Sequence, residues 1–196
     1  MFRDLSYLNY PDPFPVSTVD DWYREAVREN RELLRDWWRL CDDGCPHVDM
    51  PLPFDHAYAG VLPYAIEDGL LILEQRGNAT AWNPNKLAMF GRELREGEIP
   101  SDIAVRWLRE QTGIFAYPYE LRPLSFYIER RIRVPVLRCI YGLPLDHVPS
   151  GVGPGNCPGI TMIRPTRIPE LRENITMLSS EDIEILFNGW NFGEAA

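Results

Sequence analysis

The stretch that decides the fold runs from Gly91 to Ile114, GRELREGEIPSDIAVRWLREQTGI. Its first half is rich in charge and glycine and reads as a loop. Its second half reads as a short helix over 100–111. Pro100 suits the first turn, Asp102 complements the positive amino end, and Gly113 suits a left-handed stop. Glu98, Arg106 and Glu110 fall at spacings that suggest chemistry. Trp107 stands where a metal site would want a charged residue.

Upstream, AGVLPYAIEDGLLILEQRG (59–77) reads as two apolar strands joined at Asp68-Gly69, a hairpin signal. NATAWNPNK (78–86) is a loop, and KLAMFG (86–91) is a short strand entering the opening stretch. Downstream, LSFYIE (124–129) and RVPVLRCIYGLPL (133–145) are strand-like, with Pro135 favouring an edge or bulge. PSGVGPGNCPG (149–159) is a flexible loop by composition. A last helix starts near SSEDIEILFNGW (179–190), capped by Ser179 or Ser180.

The amino-terminal part is of a different kind. Pro11, Pro13 and Pro15 exclude a regular helix over residues 1–16. A long helix of about six turns follows. Thr18 is its expected cap, with Asp21 three residues on, and Gly44 its stop. Trp22, Tyr23, Ala26, Val27, Leu33, Leu34, Trp37 and Trp38 recur at helical spacing and form one apolar face. That face needs a partner: the main domain, or the same helix in a homodimer. The chain divides into an arm and amphipathic helix (1–55) and a mixed α/β domain (56–196) whose sheet is covered by helices.

The chain has 196 residues, 45% hydrophobic and 25% charged, enough for one domain with an extension. The net charge of −9 argues against a nucleic-acid polymer, whose backbone needs a basic face. It leaves a nucleotide open. No apolar run approaches the roughly 18 residues of a membrane span. The first residues carry no apolar signal core, so the cytoplasm is the expected compartment. Four cysteines do not make a disulfide scaffold here. Cys41, Cys45, His47 and Cys157 lack the paired spacing of zinc sites. His56 beside Asp55 and His147 beside Asp146 are each able to act as acid or base, and nothing in the spacing joins them.

From Arg92 to Ile114 the sequence resembles the signature of the Nudix superfamily. That signature is a glycine, five residues, a glutamate, seven residues, then Arg-Glu-apolar-x-Glu-Glu-x-Gly-apolar. Glu98, Arg106, Leu108, Glu110, Gly113 and Ile114 fall in register. The preceding hairpin and strand fit the same family. The resemblance, covering roughly 57–190, implies a Nudix-like α/β/α sandwich with a mixed sheet, plus the amino-terminal helical extension. It also implies diphosphate chemistry assisted by magnesium or manganese, with Glu98, Arg106 and Glu110 as the catalytic set. Glu98 and Arg106 are expected to pair and brace the loop.

The departures shape the functional expectation. Arg92 replaces the signature glycine, although Gly91 precedes it. Trp107 and Gln111 replace two glutamates. Positions 107, 110 and 111 share one helix face. In Nudix enzymes that face carries carboxylates that hold hard divalent cations against a diphosphate. A tryptophan cannot ligate a metal, and a glutamine offers only a neutral carbonyl. Glu110 would hold magnesium or manganese weakly, helped at most by Glu98 and by Glu129 from a neighbouring strand. Trp107 also suits a plain extension of the core face. Arg92, Trp107, Gln111, Trp82 and Phe90 are the expected ligand-binding residues. The expected function is binding of a nucleoside- or organic-diphosphate ligand, with atypical or weak hydrolysis. The alternatives are a non-catalytic binding protein and a repurposed enzyme on the same scaffold.

Overall fold

The computed structural model describes residues 16–42, 54–78, 84–129, 135–153, 159–171 and 173–175, without the side chains of 34–42. The expected hairpin is present. β1 (His56–Ala65) and β2 (Leu70–Gln75) pair antiparallel, and Gly69 takes the positive φ of 61° that closes the turn. KLAMFG splits in two. β3 (Leu87–Ala88) pairs with β2 and β4 (Phe90–Glu93) with β1, with Met89 between them. α2 (Pro100–Thr112) ends at Gly113, whose φ of 75° and bond to the Arg109 carbonyl make the expected stop.

β5 (Arg122–Glu129) and β6 (Val136–Leu145) follow. β6 lies parallel to β1 along its whole length, from His56 opposite Val136 to Ala65 opposite Leu145. The path is β3-β2-β1-β6-β5, with β4 joined to β1 and β7 (Ile160–Ile163) to β2. Two prolines fit this pattern for a physical reason. Pro63 lies opposite Leu143 of β6, and on the other side of β1 it falls between the stretch that pairs with β4 and the stretch that pairs with β2, so on that side no ladder partner faces it. Pro135 stands just before β6 rather than at an edge or bulge within it, and its carbonyl accepts the Asp55 N–H. The sequence reading missed β7 because its run is only four residues long. A single turn, α3 (Ile168–Leu171), follows β7. The expected helix from residue 179 lies outside the described residues.

Strand parity sorts the side chains. Val61, Leu137, Cys139, Tyr141 and Phe126 meet Ala104 and Leu108 of α2 on one face. Leu62, Tyr64 and Ile140 meet Ile163 and Ile168 on the other. α1 (Val16–Asp42) lies on the α2 face: Val16, Val19 and Ala26 are buried in that core, and the Trp22 ring sits 5.8 Å from the Phe126 ring. The helix begins at Val16, two residues before the expected cap at Thr18. Its apolar stripe, as far as the side chains are described, is covered by the chain's own core. The homodimer expected through it therefore finds no support there. The side chains of Leu34, Trp37, Trp38 and Cys41 lie outside the description, as do Cys45, His47 and Cys157.

Candidate functional site

The loop before α2 is built around Glu98. Arg92 Nη2 donates to Glu98 Oε1 at 2.6 Å, Arg106 Nη2 donates to the same oxygen at 3.0 Å, and the Arg95 N–H donates to Oε2 at 2.8 Å. The Glu98 side chain is only 18% exposed. The Arg92 guanidinium and the Arg95 amide, with Arg106 behind them, hold its carboxyl down at about 2. The brace expected between Glu98 and Arg106 is thus present, with Arg92 as a second arm. Arg92 also donates to the Glu93 carbonyl. It is engaged by the loop rather than offered to a ligand.

Gly91 shows why the glycine sits one place early. It stands opposite Gly60 across β1 and β4. A Cβ on Gly91 would come within 2.4 Å of the Ala59 carbonyl oxygen and 2.7 Å of the Gly60 Cα. Close backbone approach, not the loop's conformation, demands the glycine.

Trp107 is half-buried and packs against the α1/α2 core, while Glu110 and Gln111 are exposed. Glu129 does not join them. It belongs to the parity of Ser125 and Tyr127, whereas Phe126 and Ile128 point to the core beneath α2. It is buried (3% exposed) across the sheet from that helix. Among the described residues, no group of three His, Cys, Asp or Glu side chains could hold a metal ion. Glu98, Glu110 and Glu129 do not come together: the first is held by arginines, the second is exposed on α2, and the third is buried on the far face of the sheet. These residues do not fit a magnesium or manganese ion. Phe90, expected in a pocket, is 1% exposed and part of the core. Trp82 lies outside the described residues.

α1 adds a feature the sequence reading did not find. Asp20 is buried and caps α2 from another helix. Its Oδ1 accepts the Ser101 N–H (3.2 Å) and the Tyr141 hydroxyl (3.2 Å), and its Oδ2 accepts the Ser101 hydroxyl (2.7 Å). Asn30 does similar work further along, exchanging two hydrogen bonds with the Phe54 backbone (2.9 and 3.0 Å). A signal for both was present: Asp20 and Asn30 fall on the buried helical stripe of Val16, Val19, Tyr23, Ala26 and Val27. Polar groups on such a stripe are buried, and buried polar groups need partners. Burial also pushes the Tyr141 hydroxyl and the Cys139 thiol well above their usual ranges, so neither ionises near neutrality.

Between α1 and the Glu98 loop lies a cleft of about 370 Å³, lined by Tyr23, Arg24, Arg28 and Arg31 on one side and by 96–100 on the other. That volume is at the lower end of small-molecule sites. Tyr23 is half-buried, and burial raises its hydroxyl above the ordinary value, leaving it a neutral donor. His147 stands apart, its Nδ1 3.5 Å from Asp68 in the hairpin turn rather than engaged with Asp146. His56 is exposed at the start of β1. The structure brings neither histidine into the cleft lining.

Several solved structures share this architecture at low sequence identity. A bifunctional NMN adenylyltransferase/ADP-ribose pyrophosphatase from Francisella tularensis, solved with AMP and a manganese ion, superposes with a TM-score of 0.54 at 15% identity, over 84% of this chain and 47% of that one. The chain thus spans about half the length of that protein. A MutT Nudix hydrolase from Burkholderia pseudomallei gives 0.51 at 15% identity, over 67% of this chain and 97% of that one. The dihydroneopterin triphosphate pyrophosphohydrolase of E. coli gives 0.51 at 14%, over 65% and 92%. No protein-family model matches the sequence, and no curated protein matches it. The fold is Nudix-like, a mixed sheet with helices, as the resemblance implied.

Proposed function

We propose that this Nudix-like chain binds a nucleoside- or other organic-diphosphate ligand beside the Glu98 loop, without the standard magnesium-dependent hydrolysis of the family it resembles. One observation carries the reading. The scaffold of the box is kept, with Glu98 clamped by Arg92 and Arg106. The α2 face offers Trp107, Glu110 and Gln111 instead of a carboxylate cluster. In this reading residues 1–55 are an extension on a domain of 56–196, and Glu98 and Arg106 are positioning residues. No helix among the described residues is long and apolar enough to cross a membrane. The reading places the protein in the cytoplasm, where phosphorylated metabolites are abundant.

A second reading, a non-catalytic interaction protein, draws on a different observation. Phe115, Tyr117 and Tyr119 are all exposed, Tyr119 at 75%. Their rings meet edge-on at 4.8 Å and stacked at 5.2 Å, with Arg109 over Phe115. Exposed aromatic arrays of this kind are common in protein-recognition surfaces.

Calorimetry and phosphate release against a panel of diphosphates, each with and without magnesium, decide between these. The expected outcome is binding that does not require the metal and little turnover. Rapid magnesium-dependent turnover that Glu110→Ala abolishes would overturn the proposal. Absence of any binding would favour the interaction protein.

A further inference from the structure

We infer that the amino-terminal helix α1 supplies the counter-charge for the ligand's phosphates through Arg24, Arg28 and Arg31. The inference rests on the proposed diphosphate reading and names where that ligand is held. The three arginines recur at i, i+4 and i+7, so they share one helix face on successive turns, about 5.4 Å apart along the axis. That face lines the cleft opposite the loop of Glu96 and Gly97. Two phosphoryl groups joined by one bridging oxygen can reach two adjacent guanidiniums at that separation, and guanidiniums bind such oxygens in a forked fashion.

The other charged groups of the cleft leave room for an anion. Glu98 is already matched by two arginines, and Asp20 already accepts three hydrogen bonds. The carboxylates that pair with the arginine stripe are exposed: Asp21 with Arg24 at 2.6 Å, Glu25 with Arg28, and Glu96 with Arg31 at 2.8 Å. Pairs in water are weak and exchange readily for a phosphate. Tyr23 adds a neutral hydroxyl donor on the same lining. The amino end of α2 is not the anion site, because Asp20 occupies it. Where a metal would neutralise the phosphates in the family this fold resembles, the arginine stripe does so here.

The test titrates inorganic pyrophosphate and ADP into the full chain at low salt, with chelator present. Replacing all three residues, Arg24→Gln, Arg28→Gln and Arg31→Gln, is expected to weaken binding at least about tenfold. Arg167→Gln, which removes an equally exposed charge paired with Glu170, is expected to change nothing. Glu96→Gln releases Arg31 and is expected to tighten binding. Pyrophosphate is expected to bind more tightly than inorganic phosphate, titrated in parallel, which reaches only one guanidinium at a time. If the triple variant keeps its circular dichroism and binds like the wild type, the inference fails while the diphosphate reading stands. If the wild type binds neither pyrophosphate nor ADP, both fail. If Arg167→Gln weakens binding as much as the triple variant, overall charge rather than the stripe is responsible, and the inference fails.

Discussion

Glu98 is the most heavily bonded carboxylate of the loop before α2. In the signature it belongs to the catalytic set, yet here its two oxygens accept from Arg92, Arg95 and Arg106. Its folded-state carboxyl titrates at about 2 rather than 4.5. A lowered carboxylate contributes stability that is complete above the unfolded value and lost as pH falls through 4.5 toward 2. Glu98→Gln removes that contribution. It is expected to cost about 1–2 kcal/mol near neutrality, and to flatten the stability profile across that acid window. Urea denaturation at several pH values measures both; an unchanged profile would show that the clamp carries no energy. The pairing of Glu98 with Arg106 was legible through the resemblance to the family signature, which implies it. The burial of Phe90 and the far-face placement of Glu129 were not, because both depend on which parity of a strand meets the helix. One residue of offset reverses that parity.

At the scale of elements, α2 depends on α1 for its first turn. Ile99, at the cap position, offers no side-chain acceptor. Asp20 takes that place from outside the helix. Asp20→Ala would leave the Ser101 N–H and hydroxyl and the Tyr141 hydroxyl buried without their acceptor, at about 2–3 kcal/mol. Asp20→Asn keeps the shape and one carbonyl oxygen, so its loss is expected to be clearly smaller. Hydrogen exchange should show lost protection confined at first to the α2 amino end and its contact with α1. Equal effects of the two substitutions would refute the capping role. The helix itself was readable from Pro100, Asp102 and Gly113, and the hairpin from Asp68-Gly69, because local chemistry sets both. The sequence reading missed β7: four residues carry too little periodicity, and pairing with β2 decides it.

At the scale of the whole molecule, α1 contributes to the core beneath α2. Val16, Val19 and Ala26 are buried among sheet residues, and Asn30 ties the helix to Phe54 just ahead of β1. A chain shortened to residues 54–196 loses that cover and exposes Phe126 and the partners of Asp20. It is expected to melt at least about 10 °C lower than the full chain, a shift typical of losing a few kcal/mol in a domain of this size. Differential scanning calorimetry reads it, and an equal transition temperature would show that α1 is a passive appendage. The amphipathic helix was plain in the sequence. Its partner was left open between the domain and a second copy, because periodicity tells which face is apolar and not what covers it.

The cap that joins Asp20 to Ser101 spans 81 residues of sequence. During synthesis, α1 leaves the ribosome first, and neither Ser101, Tyr141 nor Phe126 yet exists to receive it. Its aromatic stripe therefore waits uncovered while four strands and a helix are made. The last strand to satisfy it, β6 with Tyr141, is made after β5, and among the described strands only β7 follows it. Vectorial synthesis thus turns a helix that could form early into one of the last pieces to settle.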